Sequence, residues 1–340
     1  MMRFLATSAF ALLATVGAAC AQWRDTPAAR DLYEKARKEG SVVVWGPQRG
    51  EVEWISRAFP EVFPGVTVQF VGDNDVVTRA IAEARGGRHQ IDALWNSVTA
   101  SVPLVQRNLL ADVDWKALGV PNAQTGFGSK LLYANKVLYA VAYDPKRVKA
   151  EDLPKTWEGY LDPQYKGKLA ASLFLLPRLT GGLAIAWGEE KALTFVRRLV
   201  NDHDVLLTRA PRESFVESGE RLFAFGEIEN TYRRHAVEGK IFGVSIPEPA
   251  VMVQFGTGVM ANAPHPNAAR LLAAWLATPE GRAARQKLTG GIDYEAGSDN
   301  EIAKKLASGE MKAVFDLPEN MEQRDAAIRK ATPITAGRSQ

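Results

Sequence analysis

Cysteine is almost missing from this 340-residue chain, since Cys20 is the only one. Without a second thiol there is no disulfide framework and no paired-thiolate metal site. Histidine is scarce too: His89, His203, His235 and His265 are the four, and none stands at ligand spacing from another. No G-x-S-x-G turn and no H-E-x-x-H helix occurs, so the usual settings for serine or zinc hydrolysis are lacking. Asp73-Asn74-Asp75 lacks the later glycine and glutamate of a calcium loop. Neither sign of charge dominates, with 42 basic residues against 39 acidic ones. A dedicated nucleic-acid binder carries a basic stripe and a larger imbalance. There is no short-period repeat and no low-complexity tract. Beyond the first twenty residues no apolar run is long enough for a bilayer span.

What remains is a globular composition, 46% hydrophobic and 24% charged. At this length two domains are expected, because single cores stop growing near roughly 250–300 residues. The N-terminus has its own character. Met1-Met2-Arg3 precedes a short apolar core and then Ala19-Cys20-Ala21, the layout of a secretory signal with cleavage before Gln22. Lipidation at Cys20 is the rival reading, but Gly17 stands where a large aliphatic is usual. Residues 1–21 are therefore expected to be a signal peptide and the mature protein to be periplasmic.

The mature chain starts with an α/β rhythm. Thr26-Pro27 opens a helix that Gly40 closes. Ser41 to Trp45 then reads as a strand buried on both faces. Gly65 to Val71 and Ile91 to Trp95 are further strands, each leading into a helix, as in a mostly parallel sheet. Leu131 to Ala134 and Val137 to Tyr143 read as two neighbouring strands. Residues 153–168, rich in Pro, Gly, Trp and Tyr, suggest an irregular docked segment. Strand character returns at Leu169 to Leu175, and Thr180-Gly181-Gly182 is expected to lead into a helix. Phe223 to Gly226 followed by Glu229-Asn230-Thr231-Tyr232 repeats the strand-to-helix grammar. From Asn267 onward the chain reads as mainly helical. The implied organisation is a first lobe over 22–143, a second over 144–253, and a return to the first over 254–340.

Several segments in this order resemble the periplasmic solute-binding proteins of ABC importers, in the branch that includes ferric-iron and phosphonate-type receptors. They are Glu39-Gly40-Ser41-Val42-Val43-Val44-Trp45, Asp92-Ala93-Leu94-Trp95-Asn96, Leu153-Pro154-Lys155-Thr156-Trp157-Glu158, Leu161 to Lys168, Ala263 to Ala269 and Thr278-Pro279-Glu280-Gly281. The resemblance implies a type II periplasmic-binding-protein fold, two α/β lobes joined by two crossing hinge segments. It also implies a monomeric receptor that closes on a small solute and delivers it to an inner-membrane ABC permease. No catalytic residue, resident metal or cofactor is expected.

Ligands of open α/β sheets sit beyond the carboxyl ends of the strands. That rule selects Gln48 and Arg49, Asn96 and Ser97, Arg178 with Thr180, Gly181 and Gly182, and Asn230 with Tyr232. Tyr143 is added as a ring beside the hinge, and Arg209 and Arg212 as further cations on the second lobe. Ferric-binding relatives of the resembled family carry a histidine in the first loop and adjacent tyrosines in the later one. Here those positions look like Arg49 and Thr231-Tyr232. A fixed cation repels Fe³⁺ but suits a carboxylate, phosphate or phosphonate, which a guanidinium grips with two parallel hydrogen bonds. A small anionic solute is expected, with ferric iron as the alternative, and a sensor subunit or secreted hydrolase as more distant ones.

Overall fold

Two layers of helix around one continuous sheet follow from the strand–helix alternation. The computed structural model describes residues 22–47, 49–73, 75–120, 123–295 and 298–337. The expected signal peptide with Cys20, together with Gln48 and Asn74, lies outside the described residues.

The first lobe is built as its local chemistry dictates. The Thr26 hydroxyl accepts from the Ala29 amide, proline occupies the first turn of α1 (Pro27–Glu39), and Gly40 ends it at φ 75°, the left-handed cap that favours glycine. Next come β1 (Ser41–Gly46), α2 (Arg49–Val62), β2 (Thr67–Gly72), α3 (Val76–Arg85), β3 (Ala93–Ser97) and α4 (Val98–Val105). β1 lies between β2 and β3, parallel to both. A short β4 (Thr125–Gly126) pairs with β5 (Leu131–Tyr143). The two strands expected over 131–143 are a single one, because Asn135 and Lys136 keep the ladder going opposite Phe255 and Gln254.

The second lobe holds β6 (Leu169–Ser172), α5 (Leu175–Trp187), α6 (Glu189–Asp202), β7 (Leu206–Thr208), α7 (Arg212–Ser218), β8 (Phe223–Ile228), α8 (Glu229–Val237) and β9 (Gly243–Ser245). The chain returns through β10 (Ala250–Val259) to α9 (Pro266–Ala277), α10 (Pro279–Thr289) and α11 (Glu301–Ser308). The 150–165 stretch is three short 3₁₀ turns, in keeping with its composition.

The sheet runs β2-β1-β3-β10-β5-β8-β6-β7. β5 and β10 are the shared pair in the middle. β10 pairs antiparallel with β3 on one side and with β5 on the other. β5 faces β10 up to Leu138 and β8 from Tyr139 onward. Each of these ladders breaks register once, at Phe255/Gly256 and at Ala140/Val141, and such bulges add local twist where the two halves of the sheet diverge. The Gln254 amide donates to the Asn135 carbonyl at 3.0 Å, tying the crossing strands together.

The short β4, β7 and β9 were not foreseen, and neither was the C-terminal passage. After α11 the chain forms β11 (Ala313–Asp316), parallel to β10, and then α12 (Met321–Ala336). α12 lies on α5 and α6 of the second lobe, where Ala327 and Ala331 join that lobe's core. It presents a small-residue seam instead of a bulky apolar stripe, so its sequence lacks the usual core periodicity.

Candidate functional site

The carboxyl ends of β1 and β3 in one lobe and of β6, β7 and β8 in the other approach the gap spanned by β5 and β10. At the end of β3, the Asn96 side-chain carbonyl accepts from the Ser97 amide at 2.8 Å, and the Ser97 hydroxyl accepts from the Ala100 amide at 3.3 Å. Both side chains thus hold the start of α4.

Arg49 starts α2 but turns outward. Its side chain is 70% exposed, pairs with Glu53 one turn on at 2.9 Å, and lies 5.3 Å from the Phe70 ring centre. The Glu53 hydrogen bond and charge hold its guanidinium above the usual value. Among the described residues no hydrogen bond or ion pair joins it to the second lobe.

Four expected site residues, Arg178, Thr180, Gly181 and Gly182, fall inside α5. α5 begins at Leu175 and not at Thr180. Pro177 is tolerated in its first turn, where a missing N–H costs nothing, and the Ser172 hydroxyl accepts from the Phe174 and Leu175 amides at 3.2 Å. Thr180 is buried and donates to the Leu176 carbonyl at 2.8 Å. A Cβ on Gly181 would come within 2.7 Å of Ile328, and one on Gly182 would overlap Val251. These glycines let α12 and β10 approach α5; they present no amides to a ligand. Arg178 is exposed in the first turn, and its charge reaches the buried hydroxyl of Tyr139, which burial pushes up to about 12.

Tyr143 sits at the wrong end of its strand for the gap. It pairs with Phe223, the first residue of β8, whereas Tyr139 pairs with Ile228, the last. Four residues of extended chain put it about 13 Å farther from the carboxyl end, buried against Gly243. Tyr139 is the ring that belongs to the crossing.

α8 separates the two residues proposed on it. Its side chains at 230, 233 and 234 share one face and 232 points the other way. Tyr232 is fully buried in the second lobe against Phe242 and Val216, with its hydroxyl unpartnered. Asn230 faces the first lobe. Its Nδ2 donates to both carboxylate oxygens of Glu51, in the first turn of α2, at 3.2 and 3.3 Å. Arg234 approaches the same carboxylate at 3.5 Å and lies over Gly50, whose missing Cβ leaves room for it. Arg233 pairs with the enclosed Glu229. From α10 comes Arg285, 3% exposed, with burial lowering its guanidinium and Glu51 and Glu229 opposing that.

This lobe-to-lobe contact is therefore rich in charge: three guanidiniums, two carboxylates and two helix starts. α8 has no side-chain cap. Two buried atoms there lack partners, Asn230 Oδ1 and Arg285 Nη2, while the Tyr294 hydroxyl interacts with Glu229. Burial raises Glu229 above the carboxylate range despite Arg233. Sequence reasoning reached only Asn230 of this group. Glu51 was legible as an acid in a first helical turn; Arg285 was not, because it sits in an ordinary amphipathic helix.

The second lobe's rim adds other cations. Arg209 is exposed and lies 5.5 Å from the ring centre of the exposed Phe174. Arg212 is turned inward, bidentate to the buried Glu227 at 2.7 and 2.8 Å. Where β11 ends, Asp316 takes Thr99 Oγ1 at 3.3 Å and Arg324 at 2.8 Å. Burial pushes its carboxyl up to about 6, with Arg324 and Thr99 pulling the other way.

An Asp–His–Ser row, invisible in the sequence, lies at the opposite end of the first lobe. Asp92 meets His265 Nδ1 at 2.9 Å and His265 Nε2 meets Ser41 Oγ at 3.5 Å. Asp92 also accepts from the Val43 and His265 amides at 2.7 and 2.6 Å. The nearby amides that open α9, those of Asn267 and Ala268, are taken by Glu39. No free donor pair is left there for an oxyanion, and the row works as a clip between β1, β3 and α9. Among the described residues no three His, Cys, Asp or Glu side chains group as a metal site.

Comparison with known proteins agrees with this architecture. In solved structures the chain is similar to iron-bound HitA from Pseudomonas aeruginosa, with 18% identity, a TM-score of 0.69, and 86% of this chain and 99% of that one covered. It is similar to the substrate-binding protein of the ABC transporter from Agrobacterium tumefaciens, at 13% identity and TM-score 0.72 over 87% and 94%. It also resembles AfuA from Actinobacillus pleuropneumoniae with fructose-6-phosphate bound, at 17% identity and TM-score 0.69 over 86% and 97%. No curated protein matches the sequence significantly. The fold is that of the type II periplasmic binding proteins, as the sequence led us to expect. Residues 54–298 match the family of bacterial extracellular solute-binding proteins, and this chain belongs to that family.

Proposed function

We propose that this protein is the periplasmic receptor of an ABC importer, a monomer that captures a small anion between its lobes and hands it to an inner-membrane permease. The observation that carries this reading is the charge at the lobe-to-lobe contact. Arg233, Arg234 and Arg285 outnumber Glu51 and Glu229 there, and the starts of α2 and α8 add positive dipole ends. A carboxylate, phosphonate or phosphate ester would be held by Arg234, Arg285 and Asn230 as the lobes closed around it. Arg178 and Arg209, exposed on the second lobe's rim, favour the approach of such a solute. The binding role needs no turnover, and stoichiometric uptake is expected.

Ferric iron is the second reading, favoured by the likeness to iron-bound HitA. It is weakened by Tyr232, whose phenol points into the second lobe's core, and by Thr231 beside it, since a hard trivalent cation needs anionic oxygen donors. A thermal-shift screen separates the two. Citrate, inorganic phosphate, methylphosphonate and fructose-6-phosphate are added with and without ferric chloride. A rise in Tm with one of the anions alone supports the proposal. A rise only when iron is present, with a coloured complex, overturns it in favour of iron.

A further inference from the structure

We propose that the Glu51 carboxylate is a built-in stand-in for the solute, occupying the anion subsite of the cleft until an external anion displaces it. This rests on the anion-receptor reading above and names how that site is guarded. Glu51 belongs to the first lobe, yet its polar partners include two residues of the second. Asn230 grips both of its oxygens and Arg234 approaches at 3.5 Å. Two donors converging on one carboxylate is how a receptor holds a bound carboxylate or phosphate. Here the acid comes from the protein.

Glu51 leaves polar groups of the subsite unmet. Arg285 Nη2 and Asn230 Oδ1 are buried and unpartnered. They lie 2.8 and 2.6 Å from the same point above Gly291, the place a Cβ would take. Tyr294, from the segment that follows α10, turns its buried hydroxyl toward Glu229 and closes that side of the subsite. A side-chain carboxylate carries two oxygens, no proton to donate, and a tether to α2, so it leaves the Arg285 donor open and can do nothing for the Asn230 carbonyl, which needs a hydroxyl proton from its ligand. A free anion with three or more oxygens, or with a hydroxyl beside its charge, can satisfy them, and unmade buried hydrogen bonds are costly enough to favour the exchange. The chemistry points to a phosphate, phosphonate or hydroxy-carboxylate ligand over a simple monocarboxylate.

Such a guard has two effects. It keeps the lobes in contact while the protein is empty, so that buried arginines do not face one another unscreened. It also sets a threshold, because the solute must outcompete a tethered carboxylate. If Glu51 fills the subsite 90–99% of the time, removing it should tighten apparent anion affinity about 10- to 100-fold.

The test uses the mature full-length protein, wild type and with Glu51→Gln or Glu51→Ala, at constant ionic strength. Inorganic phosphate and acetate are titrated by calorimetry, with chloride as control, while small-angle scattering reports lobe closure. The expected result is that Glu51→Ala opens in chloride, and that acetate or phosphate restores its compactness and binds at least about tenfold tighter than to wild type. Glu51→Gln, which keeps the shape and loses the charge, should bind phosphate more tightly as well. Adding Arg285→Met to Glu51→Ala should abolish the rescue. The proposal is overturned if Glu51→Ala and wild type bind phosphate and acetate equally, or if Glu51→Ala is compact in chloride. If wild type binds one of the screened anions and Glu51→Ala binds it no better, the anion-receptor reading stands and the guard does not. If acetate rescues Glu51→Ala while wild type responds only to iron, the guard stands and the receptor reading falls.

Discussion

Asp92 and Glu51 are both sequestered acids of the first lobe, and they are spent differently. Asp92 accepts two backbone amides and meets one imidazole nitrogen, all within its own lobe. The side chain of Glu51 is 12% exposed, and its polar partners include Asn230 and Arg234 of the other lobe. A hinge motion leaves the first set intact and must break the second. Around Asp92 the nearby amides are taken, whereas around Glu51 one buried donor, Arg285 Nη2, and one buried acceptor, Asn230 Oδ1, are open. Asp92 is satisfied inside one lobe, and the polar groups around Glu51 are left incomplete between the two.

The sharpest way to break this comparison is Asp92→Ala. It strands two buried amides and the imidazole, and should cost about 3 kcal/mol or more of stability by urea unfolding, while solute affinity stays unchanged. A folded variant with altered affinity would tie Asp92 to the site.

Asp316 tests a carboxylate of intermediate kind, since Thr99 and Arg324 bind it from opposite lobes. Its carboxyl is raised by burial from 3.8 to about 6. A raised acid binds its proton more tightly in the folded state, so stability falls as pH climbs from about 4 through about 6. The full effect is about 3 kcal/mol at most. Unfolding free energies across that window should lose this slope in Asp316→Asn; an unchanged slope places its origin elsewhere.

Gly181→Leu probes whether α5 offers a loop or a seam. Overfilling the contact with Ile328 should cost about 1–3 kcal/mol in chemical denaturation and leave anion affinity as it was. Tyr232→Phe is expected to change stability by under about 1 kcal/mol, because the phenol it trims has no partner. Its solute affinity by calorimetry should match wild type; a loss would return the phenol to the site. Arg49→Ala should move both readings least, given its exposure and its local pair with Glu53.

The sequence by itself determined the parallel α/β grammar of the first lobe, the cores of β1, β2, β3, β6 and β8, and many of the helices. Apolar runs, caps and glycine stops act over a few residues, and they set α1 to the residue, from its Thr26-Pro27 start to its Gly40 stop. The face of a helix is a longer-range matter. Asn230 and Tyr232 are two apart and fall on opposite sides of α8, so a loop chosen by position delivers one to the cleft and the other to the core. Thr180-Gly181-Gly182 reads as a helix start by composition and is a close-approach seam, because α12 arrives from more than 140 residues away to need it. Glu51, Asn230 and Arg285 meet only once β5 and β10 have crossed. No local pattern encodes that meeting, since each residue is placed by the core beneath its own helix and the charges find one another as a consequence of tertiary assembly.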